Sequence, residues 1–300
     1  MSEREGQKKS GFVAIVGRPN VGKSTLVNHM VGQKIAIMSN KPQTTRTQIR
    51  GVVNRPEGQV VLLDTPGLHK PRHLLGEWMV RSATSAIRDV DVILLVIDAS
   101  HREGIEDETV FEHIQGTKTP VVLALNKVDA IAKETLLSQM DRLQSVHPFH
   151  AIIPLSAKTG EQVDVLEKTL FSLLPVGPLY YPEGMATDHP EQFLIAELIR
   201  EKVLLTTREE IPHSIAVGIE QLERRGDLLY INAVIYTERD SQKGILIGKG
   251  GEALRRVGSM ARQDIEGLLH TRAFLELWVK VKKDWRNTEH VLRTFGFEKE

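Results

Sequence analysis

The chain has 300 residues, 41% hydrophobic and 26% charged, the make-up of a globular protein large enough for two cores. Lys and Arg balance Asp and Glu to a formal charge of zero, so any nucleic-acid surface must be local. There is no cysteine, which excludes disulfides, thiolate catalysis and cysteine-held zinc and fits a reducing compartment.

Residues 1–10 are polar and mixed in charge, and read as a flexible lead without the apolar core of a signal peptide. From residue 12 to about 174, short apolar runs alternate with helical patterns. The runs are FVAIV at 12–16, VVLLD at 60–64, VILLVID at 92–98, VVLALN at 121–126 and AIIPLS at 151–156. Strands this continuously apolar are buried on both faces, which predicts a doubly wound, mostly parallel α/β sheet over 11–176. Ligands of such sheets sit at the carboxyl ends of the strands. The most apolar run, 90–99, is too short to span a bilayer and holds Asp91 and Asp98, so a soluble protein is expected. A Pro- and Gly-rich stretch, 177–191, reads as a linker. Beyond it, 192–300 has a different texture. A helical pattern covers 192–206, two β patterns at 214–223 and 228–238 flank a turn at Arg225-Gly226-Asp227, and a short helical segment follows Ser241. A long helix over 252–269, a strand over 273–281 and a C-terminal helix complete the expected α+β unit.

Polar motifs follow directly on the strands. Gly17-Arg18-Pro19-Asn20-Val21-Gly22-Lys23-Ser24 fits G-x-x-x-x-G-K-[ST] between a strand and a helix that begins near Thr25. Its backbone N–H groups and the helix dipole suit phosphate oxygens, Lys23 would reach the β- and γ-phosphates, and Ser24 would ligate Mg²⁺. In Asp64-Thr65-Pro66-Gly67 the carboxylate can hold the Mg²⁺ shell and the Gly67 N–H can sense the γ-phosphate. In Asn126-Lys127-Val128-Asp129, Asp129 can accept from the N1 and N2 hydrogens of guanine, and adenine lacks the N2 donor. Asn126 would orient the base or its loop, the Lys127 stem would cover the ring, and Ser156-Ala157-Lys158 would cap the base edge.

This ordered set resembles the signature of P-loop GTPases, over about residues 11–176. Within it Gln43-Thr44-Thr45-Arg46 is similar to the switch I element of translation-factor-related bacterial GTPases. The resemblance implies that Thr45, with Thr44 as the alternative, meets Mg²⁺ and the γ-phosphate. Many small GTPases place a glutamine after the glycine of the second motif to orient water. Leu68 stands there, so slow intrinsic turnover of GTP to GDP is expected. In related GTPases an asparagine at the position of Asn20 helps hold a potassium ion that stabilises transition-state charge, which makes K⁺ a candidate activator and Asn20, with Lys23, Thr45 and Gly67, a candidate catalytic residue.

In the second unit, Gly248-Lys249-Gly250-Gly251 fits the GXXG loop that lets an RNA backbone approach closely, and it follows Ile245-Leu246-Ile247. Lys243, Lys249, Arg255 and Arg256 surround it, as phosphate contacts require. Ile245 and Ile247 read as core, with Ile247 near enough to the groove lip to touch a base. The element order resembles a type II KH domain. A GTPase unit, a linker and a type II KH unit together resemble the Era family of bacterial GTPases. That resemblance implies binding near the 3′ end of 16S ribosomal RNA and a role in rRNA processing and 30S subunit assembly. It also implies a cytoplasmic monomer partly associated with the inner membrane face. The alternative is a membrane-associated signalling switch in cell-cycle or division control, with a protein partner. In the leading reading, GTP governs the KH groove through switch loops at 33–51 and 64–82.

Overall fold

The computed structural model describes residues 8–41, 43–101, 105–207 and 211–297. Of the expected flexible lead, residues 1–7 lie outside the described residues, and Lys9 and Ser10 already belong to the first strand.

The first unit runs β1 (Lys9–Val16), α1 (Lys23–Val31), β2 (Ile49–Arg55), β3 (Gly58–Asp64), α2 (Leu74–Ser85), β4 (Val92–Asp98), α3 (Ile105–Ile114), β5 (Val121–Asn126), α4 (Lys133–Gln144), β6 (Ala151–Pro154) and α5 (Val163–Leu173). The sheet order is β2-β3-β1-β4-β5-β6, and only β2 is antiparallel to its neighbour. The period of two along each strand explains the continuous apolar runs. On β4, Val92, Leu94 and Val96 face a core built with α1 and α5, while Ile93, Leu95 and Ile97 face a second core that takes in residues of α2, α3 and α4.

Two elements depart from the sequence reading. Residues 49–55 form the edge strand β2, whose apolar pattern is broken by Arg50, Asn54 and Arg55. Residues 74–85 form helix α2, although the sequence reading puts 74–82 in a switch loop. His73 caps it, its Nδ1 accepting from Gly76 N at 2.9 Å. Leu75, Trp78 and Met79, at i, i+3 and i+4, bury against Ala216, Trp285, Val291 and Leu292 of the second unit.

The stretch 177–190 lies along β2 and covers its open edge. Val52 N donates to Ala186 O at 2.8 Å, and Arg50 pairs with Asp188 at 2.8 Å. Buried Gln59 accepts from Tyr180 N and Tyr181 N at 3.0 and 2.9 Å.

The second unit runs α6 (Glu191–Thr206), β7 (Ala216–Arg225), β8 (Leu228–Thr237), α7 (Asp240–Ile247), α8 (Glu252–Leu269), β9 (Arg272–Val281) and α9 (Glu289–Thr294). Strand β8 pairs antiparallel with β7 and parallel with β9. Helices α6 and α8 pack on one face of this sheet. On α8, Val257, Ala261 and Ile265 recur every four residues and point into the core. On α7 Gln242 and Leu246 are buried, Leu246 in the core, and Ile247 is half-buried against the same core. Ile245, expected in the core, is 59% exposed, because three consecutive residues of a helix cannot share one face.

Candidate functional site

The loop from β1 to α1, the ends of β5 and β6, and the segment before β2 enclose a cavity of about 640 Å³ at the carboxyl ends of the strands. Of the residues singled out by sequence, it brings together Pro19, Asn20, Gly22, Lys23, Ser24, Thr25, Thr45, Gly67, Asn126, Lys127, Asp129, Ser156, Ala157 and Lys158.

Three oxygens converge at one point. Ser24 Oγ lies 2.9 Å from Thr45 Oγ1 and donates to Asp64 Oδ2 at 2.8 Å, and Thr45 Oγ1 donates to the same Oδ2 at 3.5 Å. Gln43 and Thr44 also line the cavity, but the Thr44 hydroxyl turns away from this point and donates to Lys41 O at 2.6 Å. The other oxygen of Asp64, Oδ1, is buried and has no hydrogen-bond partner among the described residues. A carboxylate and two hydroxyls in this arrangement fit a hard, oxygen-seeking cation such as Mg²⁺. Burial pushes Asp64 up to about 6, against the pull of Lys23, Ser24 and Thr45. Burial likewise holds Lys23 down to about 8, against the pull of Asp64. Two desolvated charges of this kind are stabilised by bound opposite charge, a cation at Asp64 and an anion at Lys23. Lys23 Nζ donates to Gly17 O and Arg18 O at 3.0 and 2.8 Å, which holds it against the loop.

Asn126 braces the walls. Its Nδ2 donates to Val21 O at 2.7 Å and its Oδ1 accepts from Ala157 N at 2.9 Å, so one buried amide ties the phosphate-loop region to the loop after β6. Gly22, at φ 103°, passes so close that a Cβ there would fall 2.2 Å from Asn126 Nδ2. Lys127 is fixed by Asp98 Oδ2 at 2.6 Å and Asn20 O at 2.9 Å, and Asp129 is exposed on the cavity wall. Asn20 Nδ2 donates to Asn40 O at 3.0 Å.

Gly17, Arg18, Val21, Asp64, Thr65, Pro66, Leu68 and Val128 do not line the cavity. Asp64 stands behind Ser24 and Thr45. Thr65 donates to Ile15 O at 2.8 Å and serves the sheet. Leu68, 2% exposed, belongs to the core beside α2 and α3. Sequence reasoning missed Ile37, Met38, Ser39 and Asn40, which precede the Gln-Thr-Thr-Arg element without a pattern of their own. It also missed Leu205, which reaches the cavity from α6 of the second unit.

The Gly248–Gly251 loop joins α7 to α8. Gly248, Gly250 and Gly251 all have left-handed φ, of 71°, 59° and 78°. Beside it, α8 and β9 border a groove of about 600 Å³. Gly251 and Arg255 are the residues of the RNA-binding expectation that line it. Arg255 also bonds Gly250 O. Lys249 and Arg256 are exposed, Lys243 and Ile247 half-buried, and none of the four lines the groove. Leu254, Gly258, Arg262, Phe274 and Leu277 do. The sequence signal for Leu254, Gly258 and Arg262 was the helical repeat 254-255-258-262, which marks one face of α8.

Comparison with known proteins settles the relationship. Residues 12–127 match the family described as "50S ribosome-binding GTPase", and residues 210–286 match the KH domain family. The chain is 54% identical over 292 residues to the GTPase Era of Heliobacterium modesticaldum (strain ATCC 51547 / Ice1), covering 97% of each chain. The chain belongs to the Era family of GTPases. A variant of Aquifex aeolicus Era bound to GDP.AlF4- superposes with a TM-score of 0.93 at 42% identity, covering 96% of this chain and 99% of that one. An Era in complex with MgGDPNP and nucleotides 1506-1542 of 16S ribosomal RNA superposes at 0.94 and 41% identity, covering 97% and 99%. Both units and their mutual placement are thus shared with Era structures.

Proposed function

We propose that this Era-family GTPase binds 16S ribosomal RNA near its 3′ end and assists rRNA processing and 30S subunit assembly, its nucleotide state controlling the KH groove. One observation carries the control. The segment before β2 and helix α2 both bond or pack directly onto the unit that bears the GXXG loop. The rRNA fragment held by the relative supports the choice of ligand. Fluorescence anisotropy with an oligonucleotide matching the 16S 3′ end tests it, with GTP analogue, with GDP and without nucleotide. Binding that depends on nucleotide and falls at least tenfold in Gly250→Asp is expected. Gly250 faces open space, so an Asp there meets no neighbour and carries only the backbone strain of its φ of 59°, about 1–2 kcal/mol, while placing a negative charge at the phosphate path. Nucleotide-independent binding would sink the control, and no binding would favour a protein-partnered switch at the membrane.

In the nucleotide site, Lys23 and the phosphate-loop N–H groups bind the phosphates, and Ser24, Thr45 and Asp64 hold Mg²⁺. When bound there, Mg²⁺ would supply positive charge to offset that of the phosphates. The Gly67 N–H and Thr45 mark the γ-phosphate end, and Asp129 reads guanine. Asp129→Asn exchanges an acceptor for a donor, so GTP affinity should fall by about 3 kcal/mol, roughly 100-fold, and affinity for xanthosine triphosphate should rise. Unchanged GTP affinity contradicts the role. Asn20 and the Asn40 carbonyl supply oxygens for K⁺ at the phosphate edge, and equal kcat in potassium and sodium buffers contradicts that role. The protein acts as a monomer, partly at the inner membrane face. A peripheral contact is in keeping with the finding that no helix among the described residues is long and apolar enough to cross a membrane, and failure to co-sediment with anionic vesicles contradicts it.

A further inference from the structure

Thr45 is the switch residue whose hydroxyl meets Ser24, and the residues on either side of it are tied to the C-terminal unit. Before it, the Thr44 carbonyl accepts from Arg200 Nη2 on α6. After it, Arg46 donates to Ile215 O at 2.5 Å and to Pro212 O at 3.1 Å, with its guanidinium 5.8 Å from the centre of the Trp285 ring. The carbonyl held by Arg200 belongs to the peptide that joins Thr44 to Thr45. Rotation of that peptide plane moves the Thr45 hydroxyl.

Arg200 is itself fixed. It is 3% exposed, and Glu197, one turn back on α6, receives its Nε and Nη2 at 2.7 and 2.6 Å as a two-point fork. The next residue, Glu201, is 2% exposed and accepts from Met38 N at 2.9 Å and from Lys34 Nζ at 2.7 Å. One turn further, Leu205 lines the nucleotide cavity. Helix α6 therefore lies along the switch segment, from Lys34 to Thr44.

We propose that Arg200 is a positioning residue for GTP hydrolysis: from the KH unit it holds the Thr44–Thr45 peptide so that Thr45 faces Ser24 and the γ-phosphate, which makes α6 a working part of the GTPase site. This rests on the assignment of Thr45 to the γ-phosphate. Arg200 does not line the nucleotide cavity and acts through the Thr44 carbonyl. Misplacement of a reacting group by about 1 Å costs up to about 100-fold in rate. Loss of the Arg200 contact therefore appears in kcat. Ground-state affinity, which the phosphate loop and the guanine motif dominate, stays nearly constant.

The test uses the full chain and single-turnover hydrolysis, beside the affinities for GDP and a fluorescent GTP analogue. Arg200→Lys keeps a cation for Glu197 but loses the planar fork that serves Glu197 and Thr44 together. Arg200→Gln loses the charge. Glu197→Gln loosens the fork alone. All three should lower kcat, Arg200→Gln by about 10-fold or more, with both affinities within about 3-fold of the parent. The Glu197→Gln, Arg200→Gln double variant should lose no more than Arg200→Gln, because both act through one contact. Thermal unfolding separates this from a purely structural role, in which the midpoint falls and kcat holds. Arg200→Lys and Glu197→Gln carry the test if Arg200→Gln does not fold. The proposal is overturned if kcat stays within twofold in the folded variants while Thr45→Ala lowers it. If Thr45→Ala leaves kcat unchanged, the assignment of Thr45 is the failure.

Discussion

Asn126 and Leu68 show how one side chain acquires a meaning that its motif does not state. Asn126 uses both ends of its amide on Val21 O and Ala157 N, so it builds the site, and the proposed reading of the base falls to exposed Asp129. Leu68 stands where other GTPases keep a water-orienting glutamine, yet its side chain lies in the core beside α2. Leu68→Gln should therefore bury an amide without a partner. We expect a loss of about 2–4 kcal/mol in chemical unfolding and no gain in kcat. A faster, equally stable variant would contradict that placement. The motifs at 17–24, 64–67, 126–129 and 156–158 were legible because each follows a strand run, at the sheet end where ligands bind, whereas Thr45 precedes β2 and was legible only through the family resemblance. Asn40 and Leu205 were not. Asn40 sits in a segment without periodicity, and Leu205 reaches the cavity only once α6 has docked against another unit.

At the scale of elements, apolar period and length sufficed for β1, β3, β4, β5 and α8, whose faces are fixed by one core each or by two. They did not suffice for β2 or α2. Strand β2 carries Arg50 because 177–190 covers its edge through Asp188 and Ala186, and Arg55 because Glu167 of α5 pairs with it at 2.8 Å. Helix α2 has its apolar face on the second unit, so its pattern makes sense only in the assembled molecule. Its cap also makes it sensitive to acid. Burial, aided by nearby Arg286 and Arg46, holds His73 down to about 4 from 6.5, and its Nδ1 must stay unprotonated to accept from Gly76 N. The unfolded chain thus takes up the proton first. The contribution of His73 is full above pH 6.5 and is lost as pH falls from there through 4. The group is half-exposed, so solvent screening reduces this to on the order of 1 kcal/mol. Urea unfolding at pH 7.5 and 5 should show part of that loss, and His73→Asn, which keeps a cap acceptor, should remove it. An identical pH dependence in the variant would place the titration elsewhere.

Across the whole molecule, the sequence announced two units and their chemistry but not their joint. The joint is made by residues that look unrelated in one dimension. Lys34 pairs with Glu201 and Asp264 at 2.7 Å each, Arg46 docks beside Trp285, and Leu74 N donates to Asn287 Oδ1 at 3.2 Å. The segment around Thr45 and helix α2 thus both bear on the unit that carries the GXXG groove. If nucleotide state sets RNA affinity through these contacts, thermodynamic reciprocity requires RNA to change nucleotide affinity by the same factor. The most direct measurement is calorimetric titration of a non-hydrolysable GTP analogue into the full chain, with and without saturating 16S 3′-end oligonucleotide. The account predicts a shift of about fivefold or more, equal to the shift in RNA affinity that the analogue produces. Analogue affinity that stays constant while the RNA binds would contradict it.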